Sequence, residues 1–103
     1  MAEFNALIHQ PVRLRIMAAL HALPPEARLE FGRLREMLEV TDGNLASHLR
    51  KLEDAGYIQV EKTFVGRRPR TYIALTQAGR RAFEEHVEAL RALLAWDEGG
   101  AAG

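Results

Sequence analysis

The hydrophobic pattern changes period along the chain, and the changes divide it into elements. Across residues 11–23, "PVRLRIMAALHAL", Leu14, Met17, Ala18 and Leu20 fall on one side of a helix, and Pro11 suits its first turn. Phe4, Leu7 and Ile8 predict a short helical turn ahead of it, over residues 4–9. Pro24 disfavours helical geometry at the residue before it, so "PPEAR" ends the helix. "LEF" at 29–31 reads as a short extended piece. "GRLREML" at 32–38 reads as a brief helix burying Leu34, Met37 and Leu38.

A third helix is predicted over about 42–55. Thr41 is a good N-cap, and Leu45, Leu49 and Leu52 make one narrow apolar stripe. Gly56 is a natural stop. The period then becomes two: Ile58 and Val60 alternate with Gln59 and Glu61, which predicts a strand over Tyr57–Thr63. "TYIAL" at 71–75 predicts its hairpin partner, with "VGRRPR" at 65–70 as the protruding loop, stiffened by Pro69. Thr76 caps a last helix over about 77–96, where Phe83, Val87, Leu90 and Leu94 form a seam suited to another helix. "EGGAAG" at 98–103 is expected to be a disordered tail. The order predicts one mainly α domain with a small β-hairpin (α+β) over residues 1–97.

Composition removes several functions. The chain has no cysteine, so disulfides, thiolate metal sites and cysteine nucleophiles are all excluded. His9, His21, His48 and His86 lack metal-ligand spacing, and Thr41, Ser47 and Thr71 lack a His–Asp pattern that would make a nucleophile. The glycines of "DGN" and "VGR" are isolated, so no phosphate-cradling motif is present. No metal, cofactor or enzymatic activity is expected. Early charges argue against a signal peptide, and no apolar run approaches the roughly 18 residues of a membrane span. A soluble, cytoplasmic protein with no membrane partner is expected.

Charge adds a positive clue. The formal net charge is zero, yet residues 50–81 hold eight basic side chains against three acids, and residues 82–103 hold five acids against one base. Such separation suits a face that meets an anion. The second and third helices are separated by only Glu39, Val40 and Thr41, which is helix-turn-helix spacing. Opposite its leucine stripe, the third helix presents Gly43, Ser47, Arg50 and Asp54, with Asn44 and Lys51 to one side. Short side chains permit close approach to a major groove, Asn can pair with adenine, and Arg or Lys can reach guanine or phosphate. Thr41 and His48 would assist at phosphates. An ordinary amphipathic surface helix would be polar on this face as well.

"LREMLEVTDGNLASHLRKLEDAGYIQVEKTFVGRRPRTYIALTQAGRRAF" resembles the winged helix-turn-helix domain of MarR- and ArsR-type transcription regulators, the likeness spanning about residues 11–83. "NLASHLRKLEDAGYI" is similar to the recognition helix running into the first wing strand, and "GRRPRTY" to the wing tip. The resemblance implies a three-helix core plus a C-terminal helix. It also implies major-groove docking of the third helix and backbone or minor-groove contact by Arg67, Arg68 and Arg70. It further implies a repressor-like homodimer on duplex DNA, joined through the first and last helices, here Phe4, Leu7, Ile8, Phe83, Val87, Leu90 and Leu94. The metal-sensing cysteines of the ArsR type are absent. An effector would need a pocket between the first and last helices, a region that reads as simple core. The competing reading is a winged-helix interaction module whose arginines bind an acidic protein.

Overall fold

The computed structural model describes residues 3–100, with side chains through Trp96. Its elements are α1 (Ala6–His9), α2 (Pro11–His21), β1 (Arg28–Glu30), α3 (Phe31–Leu38), α4 (Asp42–Asp54), β2 (Ile58–Val65), β3 (Arg68–Leu75) and α5 (Gln77–Gly100). This is the α-rich winged helix arrangement that the sequence predicts. The extended piece at 28–30 proves to be a third strand, so the antiparallel sheet has the order β1-β3-β2. β2 pairs with β3 along its whole length, from Ile58↔Leu75 to Val65↔Arg68. β1 covers only Tyr72–Ala74. The outer part of β3, residues 68–71, therefore has a strand on one side only.

Local chemistry sets the helix ends. The Thr41 hydroxyl accepts the Asn44 N–H at 3.1 Å and starts α4. Gly56, at φ 81°, ends it. Its N–H reaches the Glu53 carbonyl at 2.9 Å, and the Tyr57 N–H reaches that of Leu52 at 3.0 Å. α3 closes in the same manner, but with Glu39 at φ 55° in the left-handed position. Its inward leucines, Leu34 and Leu38, join Leu45, Leu49 and Leu52 of α4 in one core with Ile16, Met17, Leu20, Ile58, Ile73 and Phe83.

Four expectations need correction. Met37 is 46% exposed, because an eight-residue helix turns only its i and i+4 positions, Leu34 and Leu38, inward. In α2 the buried stripe is rotated: Ile16 is buried and Ala18 is exposed. Both wing strands run further than predicted, so the loop shrinks from 65–70 to the turn at Gly66 and Arg67. Pro69 can stay in the strand because that part of β3 has a free edge. The last helix continues past 96 to Gly100, since nothing after Pro69 is a proline that would stop it. Of the expected tail, residues 101–103 lie outside the described residues. Among the described residues no helix is long and apolar enough to cross a membrane.

Two long-range connections fix the ends of the fold. At the base of the wing, the Thr76 hydroxyl donates to the Gly56 carbonyl at 2.7 Å and accepts the Gly79 N–H at 2.9 Å. The Thr76 N–H donates to the Tyr57 carbonyl at 3.0 Å. A Cβ on Gly79 would lie 2.0 Å from that same Tyr57 oxygen. At the N-terminus, the Asn5 N–H donates to Nδ1 of buried His86 at 2.9 Å, and the Asn5 amide donates to the Tyr57 hydroxyl at 3.0 Å. Because His86 accepts at Nδ1, its proton sits on Nε2, 3.1 Å from Nδ1 of His9. The Phe4 ring packs on both imidazoles.

Two outcomes follow for stability. Gly79→Ala should cost about 1–3 kcal/mol, because the clash is with backbone and cannot be relieved by a rotamer change; chemical denaturation checks this. Burial, and secondarily the neighbouring His9, lowers the His86 pKa from its ordinary 6.5. The unfolded chain therefore takes up a proton there that the fold resists. This contribution is complete above pH 6.5 and declines as the pH falls below it. The urea midpoint should drop on acidification through that range, and less steeply in His86→Gln.

Candidate nucleic-acid interface

The helix-turn-helix is α3, the three-residue turn 39–41 and α4. Leucines of both helices point into the common core, so the opposite face of α4 is left to solvent. Asn44, Ser47, Arg50 and Lys51 are all exposed there. Among the described residues, none of these four side chains is held by an ion pair or hydrogen bond. Thr41 is exposed too, but its oxygen is occupied by the cap. Arg35 of α3 bonds Asp42 at 2.8 Å, bracing the two helices across the turn. That hydrogen bond, with the charge of Asp42, raises the Arg35 pKa above its ordinary value.

His48 is half-buried rather than free. Its Nδ1 lies 3.2 Å from Nη1 of Arg13, which can only donate, so the ring is neutral with its proton on Nε2. Burial first, and then the positive charges of Arg13 and Lys51, hold its pKa below 6.5. Arg13 is itself anchored, its Nε donating to the Leu7 carbonyl at 2.7 Å. Sequence reasoning missed Arg13 because its partners lie 6 and 35 residues away.

The wing separates its three arginines. Arg67 is at the turn, and Arg68 opens β3 opposite Val65; both are exposed. Arg70, expected on the loop, lies within β3 and its Nη1 bonds Glu30 at 2.6 Å. Beside it, Arg28 pairs with Glu61 and lies 4.0 Å from the centre of the Tyr72 ring. These charges cover the outer face of the sheet. On its inner face, Lys62 and Thr71 stand across from Arg50 and Glu53 of α4, around a hollow of about 290 Å³. Lys62 was not among the predicted contacts, although the two-residue period that includes Ile58 and Val60 puts it on this face.

The residues named as dimer contacts divide by burial. Ile8 is fully buried and Phe83 is 9% exposed, so within this chain both are core side chains. Leu7, Val87 and Leu90 are half-buried. Phe4 and Leu94 are exposed, as are Leu93 and Trp96, which the predicted seam left out. Among the described residues, no group of three or more His, Cys, Asp or Glu side chains could hold a metal ion.

This arrangement, a helix-turn-helix with an exposed polar helix face beside a basic hairpin, has known counterparts. The profile of the winged helix DNA-binding domain matches residues 12–94. A protein of Methanocaldococcus jannaschii is 39% identical over 87 residues, covering 84% of this chain and 87% of that one. The solved structure of a transcriptional regulator homologue from Pyrococcus horikoshii superposes with a TM-score of 0.76 at 33% identity, covering 85% of this chain and 84% of that one. A MarR-family regulator from Enterococcus faecalis gives a TM-score of 0.65 at 26% identity, with coverages of 94% and 81%. The chain belongs to the winged helix DNA-binding domain family, and its structural neighbours are MarR-family and other transcriptional regulators.

Removing the cap of α4 should show how firmly the exposed face is presented. Thr41→Ala is expected to lower stability by about 1 kcal/mol, while Thr41→Ser retains most of it; urea denaturation of the two variants measures the difference.

Proposed function

We propose that this protein is a dimeric, sequence-specific transcription regulator that represses by occupying duplex DNA. The observation that carries the reading is the outer face of α4, where Asn44, Ser47, Arg50 and Lys51 are exposed and unengaged beside a basic wing. In this reading α4 lies in the major groove. Asn44 and Ser47 approach base edges closely, and Arg50 and Lys51 reach guanine or phosphate. Thr41 and His48 sit near the backbone, with the neutral Nε2–H of His48 as a donor. Arg67 and Arg68 grip the backbone or minor groove, whereas Arg70 supports them by bracing the sheet.

A second copy is the partner that suits α5. Its distal part leaves Leu93 56%, Leu94 62% and Trp96 69% exposed. A two-fold pairing through this helix, with Phe4 and Leu90 at its margin, would present two α4 helices to successive turns of one DNA face. Half-sites should then be about 34–36 Å apart. A structure of the Bacillus subtilis regulator PadR with operator DNA shares the fold, with a TM-score of 0.62 at 16% identity.

Selection of bound duplexes from a random library, followed by footprinting, tests the reading. A two-fold motif one helical turn across is expected. Enrichment of no duplex would overturn it and favour an interaction module for an acidic protein. If the dimer neutralises about 6–10 phosphates, affinity should fall about 10³–10⁵-fold between 50 and 200 mM salt. Replacing Arg67 and Arg68 by Ala should reduce the slope of log affinity against log salt by about 0.9 per lost contact. Asn44→Ala should instead relax the motif at one base pair and leave the salt slope unchanged.

A further inference from the structure

Phe64 is 71% exposed, more than Trp96, and contributes nothing to the core. It pairs with Pro69 one rung below the last pair of the hairpin, Val65↔Arg68. The pleat puts it on the same sheet face as Ile58, Val60 and Lys62, the face turned toward α4. A benzyl group there is costly to leave in water. Its surroundings are equally specific. Residues 62–71 contain Lys62, Arg67, Arg68 and Arg70, and no acid.

An apolar side chain flanked by Lys62, Arg67 and Arg68, with Arg70 already paired to Glu30, suits a polyanion with an apolar interior, and base-paired DNA has that character. A protein partner fits less well. The tip is a two-stranded ribbon, with strands about 5 Å apart, and cannot supply the roughly 800 Å² per partner of a stable protein interface. A minor groove about 6 Å wide is too narrow for the whole ribbon but admits a single side chain projecting from its tip.

We propose that Phe64 is a wedge that enters the minor groove and partly unstacks one base step, kinking the duplex beside the site read by α4. This rests on the DNA-binding reading above and deepens it. Lys62, Arg67 and Arg68 hold the flanking phosphates. Pro69, with its fixed φ, gives the ring a stiff support from the neighbouring strand. Side chains of this type unstack steps in minor-groove proteins, and the distortion is least costly at pyrimidine–purine steps such as TA and CA. The wing would thereby select sequence without reading a base edge.

The test uses a duplex enriched by the wild-type protein, carrying 2-aminopurine at successive positions under the wing footprint. Wild type should raise the fluorescence at one step and bend the DNA in a circular-permutation assay. Phe64→Ala should lose both signals and bind roughly 5- to 150-fold more weakly, as expected when one aromatic contact to a base is removed. It should keep the salt slope and the melting temperature, and Phe64→Leu should retain much of the bend. Wild-type binding that leaves the DNA straight and stacked overturns the wedge alone, as does a Phe64→Ala variant that bends DNA normally. A wild type that enriches no duplex overturns the DNA-binding reading and the wedge together.

Discussion

The junction around Thr76 is the constraint on which the rest of the molecule depends. One side chain and four backbone groups tie the end of α4, the start of β2, the end of β3 and the start of α5 within a few ångströms. Gly79 lets α5 approach so closely that no larger residue fits. The helix that faces solvent, the hairpin beside it and the long C-terminal helix are therefore set relative to one another by backbone geometry. Side-chain packing then fills the space between them with leucines and isoleucines. An interface with fixed spacing between helix and wing needs this order of causes.

The charged groups follow a division of labour that burial decides. On the outer sheet face, Arg28, Glu30, Glu61 and Arg70 satisfy one another around Tyr72. On the exposed face of α4 and at the hairpin tip the cations have no such partners among the described residues. The chain is neutral as a whole because these basic regions are offset by acids elsewhere, five of them in α5 and others in the internal pairs, in α3 and at the two ends of α4. Net charge therefore says little about what the molecule can attract, and the local distribution says more.

Much of this was legible in the sequence where the signal is local. Thr41, the leucine stripe of α4 and Gly56 each act within one helical turn, and their readings match the observed ends of α4. The alternation at 58–61 marked the wing in the same way. Features set by distant partners were not legible. Arg70 reads as a loop cation because Glu30 is 40 residues away, and His86 finds Asn5 across 81. The wing loop was drawn too long because Gly and Pro both read as turn residues, whereas here only Gly66 turns the chain. The rotated stripe of α2 arises because α1 and α5 cover it from directions that a single helical projection does not contain.

The half-covered centre strand has a consequence for solubility. Beyond Tyr72, β3 presents an open edge that another extended chain could join, the usual route to strand-by-strand aggregation. That edge carries Arg68, Pro69 and Arg70. The proline has no N–H to offer an incoming strand, and the flanking guanidiniums repel a second copy of themselves. The stretch that looks at first like a loop built for charge is thus also a guard, one that keeps each hairpin a solitary ribbon in a concentrated solution of its own kind.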